Sequence, residues 1–151
     1  MAAGMPRVAA PLHLALRRLR ERLFDLGGDA RDLGAVRAQQ AKRAALLGDA
    51  EEATRRATES LELTGDAPLG SAYFALAQAH ALRGEVDEAN RTFRTAVELL
   101  DQGGDWREAV QACRAWADLL RDANRTADAF EVLEQAADLA EKASASPRAI
   151  L

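Results

Sequence analysis

Between residues 71 and 100 the apolar positions fall into two runs broken by a single glycine. Ser71 to His80 carries Ala72, Tyr73, Phe74, Ala75, Leu76, Ala77 and Ala79. Its apolar neighbours lie three and four apart, which predicts a helix. Gly84 ends that helix, because glycine accepts the left-handed conformation that closes helices. A second helix is predicted from about Val86 to Leu100, with Ala89, Phe93, Ala96, Val97 and Leu100 on one side. So short a turn makes the two helices antiparallel neighbours, and alanine at 77 and 89 lets their axes approach closely.

The same spacing returns on either side. Gly48, Gly84 and Asn124 are each followed five residues later by alanine, at Ala53, Ala89 and Ala129. Each is preceded seven residues earlier by Ala41, Ala77 or Ala117. The period is 36 residues and then 40. Leu63 upstream, and Trp116, Leu133, Ala136 and Leu139 downstream, take places equivalent to those of the middle pair. Gly28-Asp29, Gly65-Asp66 and Gly104-Asp105 each precede a new pair. Asp29 with Asp32, and Asp105 with Glu108, have capping-box spacing, in which each side chain satisfies an orphan backbone N–H. Arg37 and Gln40 stand where the middle pair has Tyr73 and Leu76, so the pattern decays in the first pair. An internal period of this length points to stacked helix pairs and directs attention to surfaces.

These residues resemble the tetratricopeptide (TPR) repeat. The middle pair fits best, through Tyr73, Leu76, Ala77, His80, Gly84, Ala89, Phe93 and Ala96, with His80 where tyrosine is usual. The third pair puts Cys113 where tryptophan is usual, with Trp116 one turn on. The likeness covers roughly residues 30 to 142. It implies an all-α, right-handed solenoid of about three helix-turn-helix pairs with an extra N-terminal helix. A looser likeness rests on Leu23 to Asp29, arginine-over-lysine usage and alanine richness. Those features are similar to the C-terminal TPR regions of actinobacterial helix-turn-helix transcriptional regulators. That likeness implies a sensing or dimerising part of a bacterial regulator, in which this chain has no DNA-reading segment of its own. The alternative it leaves is a small cytoplasmic TPR chaperone or adaptor holding a partner segment in its groove.

Composition agrees with helices. The 151 residues include 35 alanines, 18 arginines and 2 lysines, and aromatic residues are 5%. Alanine, leucine, glutamate and arginine are strong helix formers. The expected organisation is residues 1–10 as a flexible N-terminus, one helical domain over 11–143, and a flexible tail over 144–151. Within the domain the extra helix is 11–27 and the pairs are about 30–64, 67–101 and 105–142. A net charge of −4 disfavours direct nucleic-acid binding, which needs an excess of Lys and Arg. One cysteine excludes an internal disulfide framework. No apolar run reaches membrane-spanning length and no signal-peptide pattern is present, so a cytoplasmic location is expected.

The two ends break the pattern. Leu12, Leu16, Leu19, Leu23 and Leu26 form one stripe, opposite Arg17, Arg18, Arg20 and Arg22. The stripe either packs on the first pair or forms a short dimer seam. The arginines are either a solvated face or a patch for an acidic partner. In the last helix Phe130, Leu133, Ala137, Leu139 and Ala140 spread over a wide arc with no polar capping helix after them. Together with Leu16 and Leu23 they are the expected homodimer or docking surface.

No catalytic constellation is present, and an enzyme, a metal site or a cofactor is not expected. His13 and His80 lie in separate helices, and with one cysteine they lack zinc-site spacing. Cys113 takes a core position, where a thiol is inert. The glycine pairs lack the lysine and hydroxyl of a phosphate loop. The TPR resemblance implies a peptide-binding groove lined by Ala38 and Lys42 from the first pair. The second pair contributes Phe74, Gln78 and Ala81, and the third Gln111, Arg114, Asp118 and Arg121. Arg114 and Arg121 are the strongest anchors for a carboxylate on a protein or peptide partner. The other reading of these positions is a hydrated outer face.

Overall fold

The computed structural model describes the backbone of residues 10–25 and 29–145, and side chains from 14–22 and 29–145. Among the described residues the chain is all-α, with seven helices and no strand. They are α1 (Ala10–Asp25), α2 (Ala30–Leu46), α3 (Ala50–Thr64), α4 (Gly70–Leu82), α5 (Val86–Gln102), α6 (Trp106–Asp122) and α7 (Thr126–Ala145). None is long and apolar enough to cross a membrane.

The turns explain the spacing read from the sequence. Gly48, Gly84 and Asn124 have φ of 80°, 74° and 61°, the left-handed region that glycine and asparagine tolerate best. The residue after each donates its N–H to a carbonyl five back: Asp49 to Ala44, Glu85 to His80 and Arg125 to Leu120, at 2.8–2.9 Å. That bond satisfies a carbonyl the helix end would otherwise orphan. The fifth residue after each turn, Ala53, Ala89 or Ala129, is buried against the preceding helix.

A fourth turn has the same geometry. Gly104 has φ 76° and Asp105 donates to the Leu100 carbonyl at 2.8 Å. Ala109 follows five residues later and is fully buried. Gly104-Asp105 is therefore more than the start of a pair: α5 joins α6 as tightly as α4 joins α5 or α6 joins α7. The expected Asp105–Glu108 capping box does not form, since Asp105 makes no side-chain cap bond. Asp29 does cap, accepting from Arg31 N at 2.9 Å, and Asp49 accepts from Glu52 N at 3.1 Å. Among the connections from α2 onward, α3 to α4 follows another route, through Gly65 to Leu69.

Packing is closest within α2–α3, α4–α5 and α6–α7, then between α3 and α4 and between α5 and α6. This arrangement is consistent with a helical repeat. It is uneven, however: α4 packs along α2 but barely touches α6. The helix α1 leans on α3 and α2. Its Leu16 is buried and Arg20 Nη1 donates to the Glu62 carbonyl at 3.1 Å, so this part of the leucine stripe packs inward.

One continuous core runs from α4 to α7. Phe74, Phe93 and Trp116 form its spine, with centroids 6.3 Å apart at each step and Phe93 and Trp116 nearly parallel. In α2–α3 the buried apolar residues are nearly all alanines, in two small clusters. Arg37 and Gln40 are answered there by a polar network. Arg37 Nη1 donates to Gln40 Oε1 at 2.9 Å, and Arg37 Nε lies 3.4 Å from Glu59. Glu59 also meets Arg56, which donates to Glu52 at 2.9 Å.

Candidate functional site

The residues expected to line a groove lie on α2, α4 and α6, and the structure joins only some of them. Ala41 and Ala75, both fully buried in one cluster, bring α2 and α4 together. Lys42 is thereby carried over the ring of Phe74, with Nζ 5.8 Å from the centroid. The same ammonium lies 3.2 Å from Glu108 Oε2 on α6. It spans from the first pair to the third, above the gap between α4 and α6. Phe74 is buried, so its ring is the floor beneath Lys42 and not a contact surface, contrary to the sequence expectation. Ala38 is buried too, and Gln78 and Ala81 are half-buried.

The α6 residues behave differently. Gln111, Arg114, Asp118 and Arg121 are all exposed. The reason is local: Ala112, Cys113, Trp116, Ala117 and Leu120 turn the opposite side of the helix into the core. Arg121 is engaged by Asp118 in an ion pair one turn away. Arg114 makes no ion pair among the described residues and is the freer cation of the two. The site is therefore a half-buried cation–ring–carboxylate bridge beside a row of exposed polar side chains. Glu108 was read from sequence as a capping residue. Nothing in local spacing marks it as the partner of Lys42, 66 positions earlier.

The remaining candidate chemistry is structural. His80 is half-buried and its Nδ1 lies 2.8 Å from Glu85 Oε1 across the Gly84 turn. Cys113 is wholly buried, and burial pushes its thiol up to about 11, so almost no thiolate exists near neutral pH. Among the described residues no group of three or more His, Cys, Asp or Glu side chains could hold a metal. The side chains of His13 and Leu23 lie outside the described residues.

Of the expected docking surface, Phe130 is 65% and Leu133 37% exposed, with Ala137 and Ala140 exposed beside them. Leu139 and Leu16 are buried within the chain, which corrects their assignment to an intermolecular seam. Turning the core-facing side of α7 inward commits Ala129, Val132, Ala136 and Leu139, and leaves Phe130 outside. Sequence reasoning missed exposed apolar residues at two turns, Leu46 and Leu47 before Gly48 and Leu82 before Gly84. It also missed an open cleft of about 200 Å³ between α5, α6 and α7. There Trp116 Nε1 donates to Asn90 Oδ1 at 2.8 Å and the Arg94 guanidinium lies 5.6 Å from the Trp116 ring centre.

Compared with known proteins, the chain matches no family model, no curated protein and no solved structure.

Proposed function

We propose that this protein is a non-catalytic binding module: a right-handed TPR-like solenoid that holds a peptide segment along α2, α4 and α6. The observation that carries the reading is the Lys42–Phe74–Glu108 bridge beside exposed Gln111, Arg114, Asp118 and Arg121. A cation and a carboxylate held over an apolar floor offer polarity with little freedom left to lose on binding. Exposed arginines next to them can grip a carboxylate with two parallel hydrogen bonds. The sequence likeness to regulator TPR regions supports a role in bacterial transcriptional control, as a sensing or dimerising part.

The test is peptide selection from a random display library on the purified chain. Selected peptides should contain a carboxylate, and an Arg114→Ala/Arg121→Ala variant should bind them roughly tenfold or more weakly, as loss of charge-assisted contacts implies. Equal binding by both proteins would remove the groove assignment.

The exposed Phe130 and Leu133 support a second element of the proposal, self-association through the outer side of α7. Sedimentation at tens of micromolar should give a dimer that Phe130→Ser converts to monomer. A wild-type chain that sediments as a monomer there would end this reading.

A further inference from the structure

Two exposed helix faces, one on α7 and one on α1, carry opposite charge. On α7 the core takes Ala129, Val132, Ala136 and Leu139. The other side exposes Phe130 and Leu133 and, beside them, Glu131, Glu134, Asp138 and Glu141. None of these four carboxylates makes an ion pair among the described residues. On α1, Leu16 is buried, Leu19 is half-buried and Arg20 reaches the Glu62 carbonyl. That leaves Leu14, Arg17, Arg18 and Arg22 exposed on the far side, with Glu21 as the acid among them. These three guanidiniums also make no ion pair among the described residues.

The two faces also share a spacing. Phe130, Glu134 and Asp138 stand four residues apart on α7, as Leu14, Arg18 and Arg22 do on α1. Residues so spaced form one continuous row on a helix, about 6 Å apart along the axis. Each row is one large apolar side chain followed by two like charges, acidic on α7 and basic on α1. Laid side by side in the same direction, the rows bring Leu14 to Phe130, Arg18 to Glu134 and Arg22 to Asp138. In that alignment Leu133 meets the methylene stem of Arg17, which can cover apolar surface while its guanidinium stays in water. An α7 laid on a second α7 has no such match, because the unpaired carboxylates of each helix face like charge.

We propose that α7 of one copy receives α1 of a second copy, with the arginine row of α1 against the acidic row of α7. The inference rests on the self-association read from Phe130 and Leu133, and names the surface that those residues meet. The contact joins two unlike surfaces, so a dimer closes when each copy's α1 lies on the other's α7.

Sedimentation equilibrium of the full chain is the test. The dimer should weaken as sodium chloride rises from about 50 to about 500 mM, because salt screens the attraction between exposed opposite charges. A dimer of α7 on α7 should strengthen instead, as screening relieves the repulsion between its carboxylates. Arg18→Glu/Arg22→Glu should weaken association roughly tenfold or more, since two exposed ion pairs give way to like-charge contacts. Glu134→Arg/Asp138→Arg should do the same. An equimolar mixture of the two variants should regain the dimer, because the acidic α1 of one then faces the basic α7 of the other. Such recovery also shows that both variants are folded. A wild-type dimer that salt strengthens, one that survives Arg18→Glu/Arg22→Glu, or variants that stay apart when mixed would overturn the α1 contact and leave self-association standing. A wild-type chain that is monomeric at tens of micromolar would end both. The salt response needs no variant, so it decides the matter even if a substitution unfolds α1.

Discussion

The first helix pair and the α4–α7 stack share a turn but not an interior. Gly48 in the first and Gly84, Gly104 and Asn124 in the second close with the same left-handed residue and the same five-back hydrogen bond. Behind those turns α4–α7 is held by Phe74, Phe93, Trp116 and their aliphatic neighbours. The first pair has alanines and the network of Arg37, Gln40, Arg56 and Glu59. Turn geometry therefore sets where helices meet, and leaves open what fills the seam between them. A hydrophobic seam is the more stabilising of the two, because bringing charges out of water offsets much of what pairing them gains.

Core truncation should separate the two regions most widely. Phe93 is almost fully buried and touches Phe74 on one side and Trp116 on the other. Phe93→Ala should cost about 3–5 kcal/mol, the range for deleting a buried aromatic ring. The paired change Arg37→Leu/Glu59→Leu should stay within about 1 kcal/mol of the parent, since both charges leave together. Urea unfolding followed by circular dichroism measures both. If the double variant lost as much as Phe93→Ala, the polar seam would be the equal of the aromatic one and the contrast would fail.

That contrast also marks what the sequence could disclose. The left-handed turns were legible at Gly48, Gly84 and Asn124 because few residue types accept that backbone. Gly103-Gly104 was legible as a helix-ending turn, but not as a further copy of the turn at Gly48, Gly84 and Asn124. Arg37 and Gln40 were visible as departures from an apolar pattern. That Glu59 answers them was not, because a partner on the next helix leaves no trace in local spacing. Lys42 and Glu108 are the same case at longer range, brought together over Phe74 by the close packing of α2 on α4. Phe130 was legible as an exposed residue, while Leu139 was not legible as a buried one. Both are apolar, and only the angle at which α7 meets α6 decides between them.

The smallest effects test the shared half of the comparison. A Cβ added at Gly48 or Gly84 would meet nothing within 4 Å, so substitution there is opposed by backbone strain alone. Gly48→Ala and Gly84→Ala should each cost about 1–2 kcal/mol, the penalty of a left-handed residue bearing a Cβ. The two values should agree although one turn closes the polar pair and the other an aromatic one. Asn124 sits at φ 61° and carries part of the same strain. Asn124→Gly should change stability by only a few tenths of a kcal/mol: strain is relieved, but glycine loses more freedom on folding. Thermal and urea unfolding of the three variants give the comparison. Were Gly84→Ala several-fold more costly than Gly48→Ala, the turn would be coupled to the core behind it, and turn and interior could no longer be treated as independent.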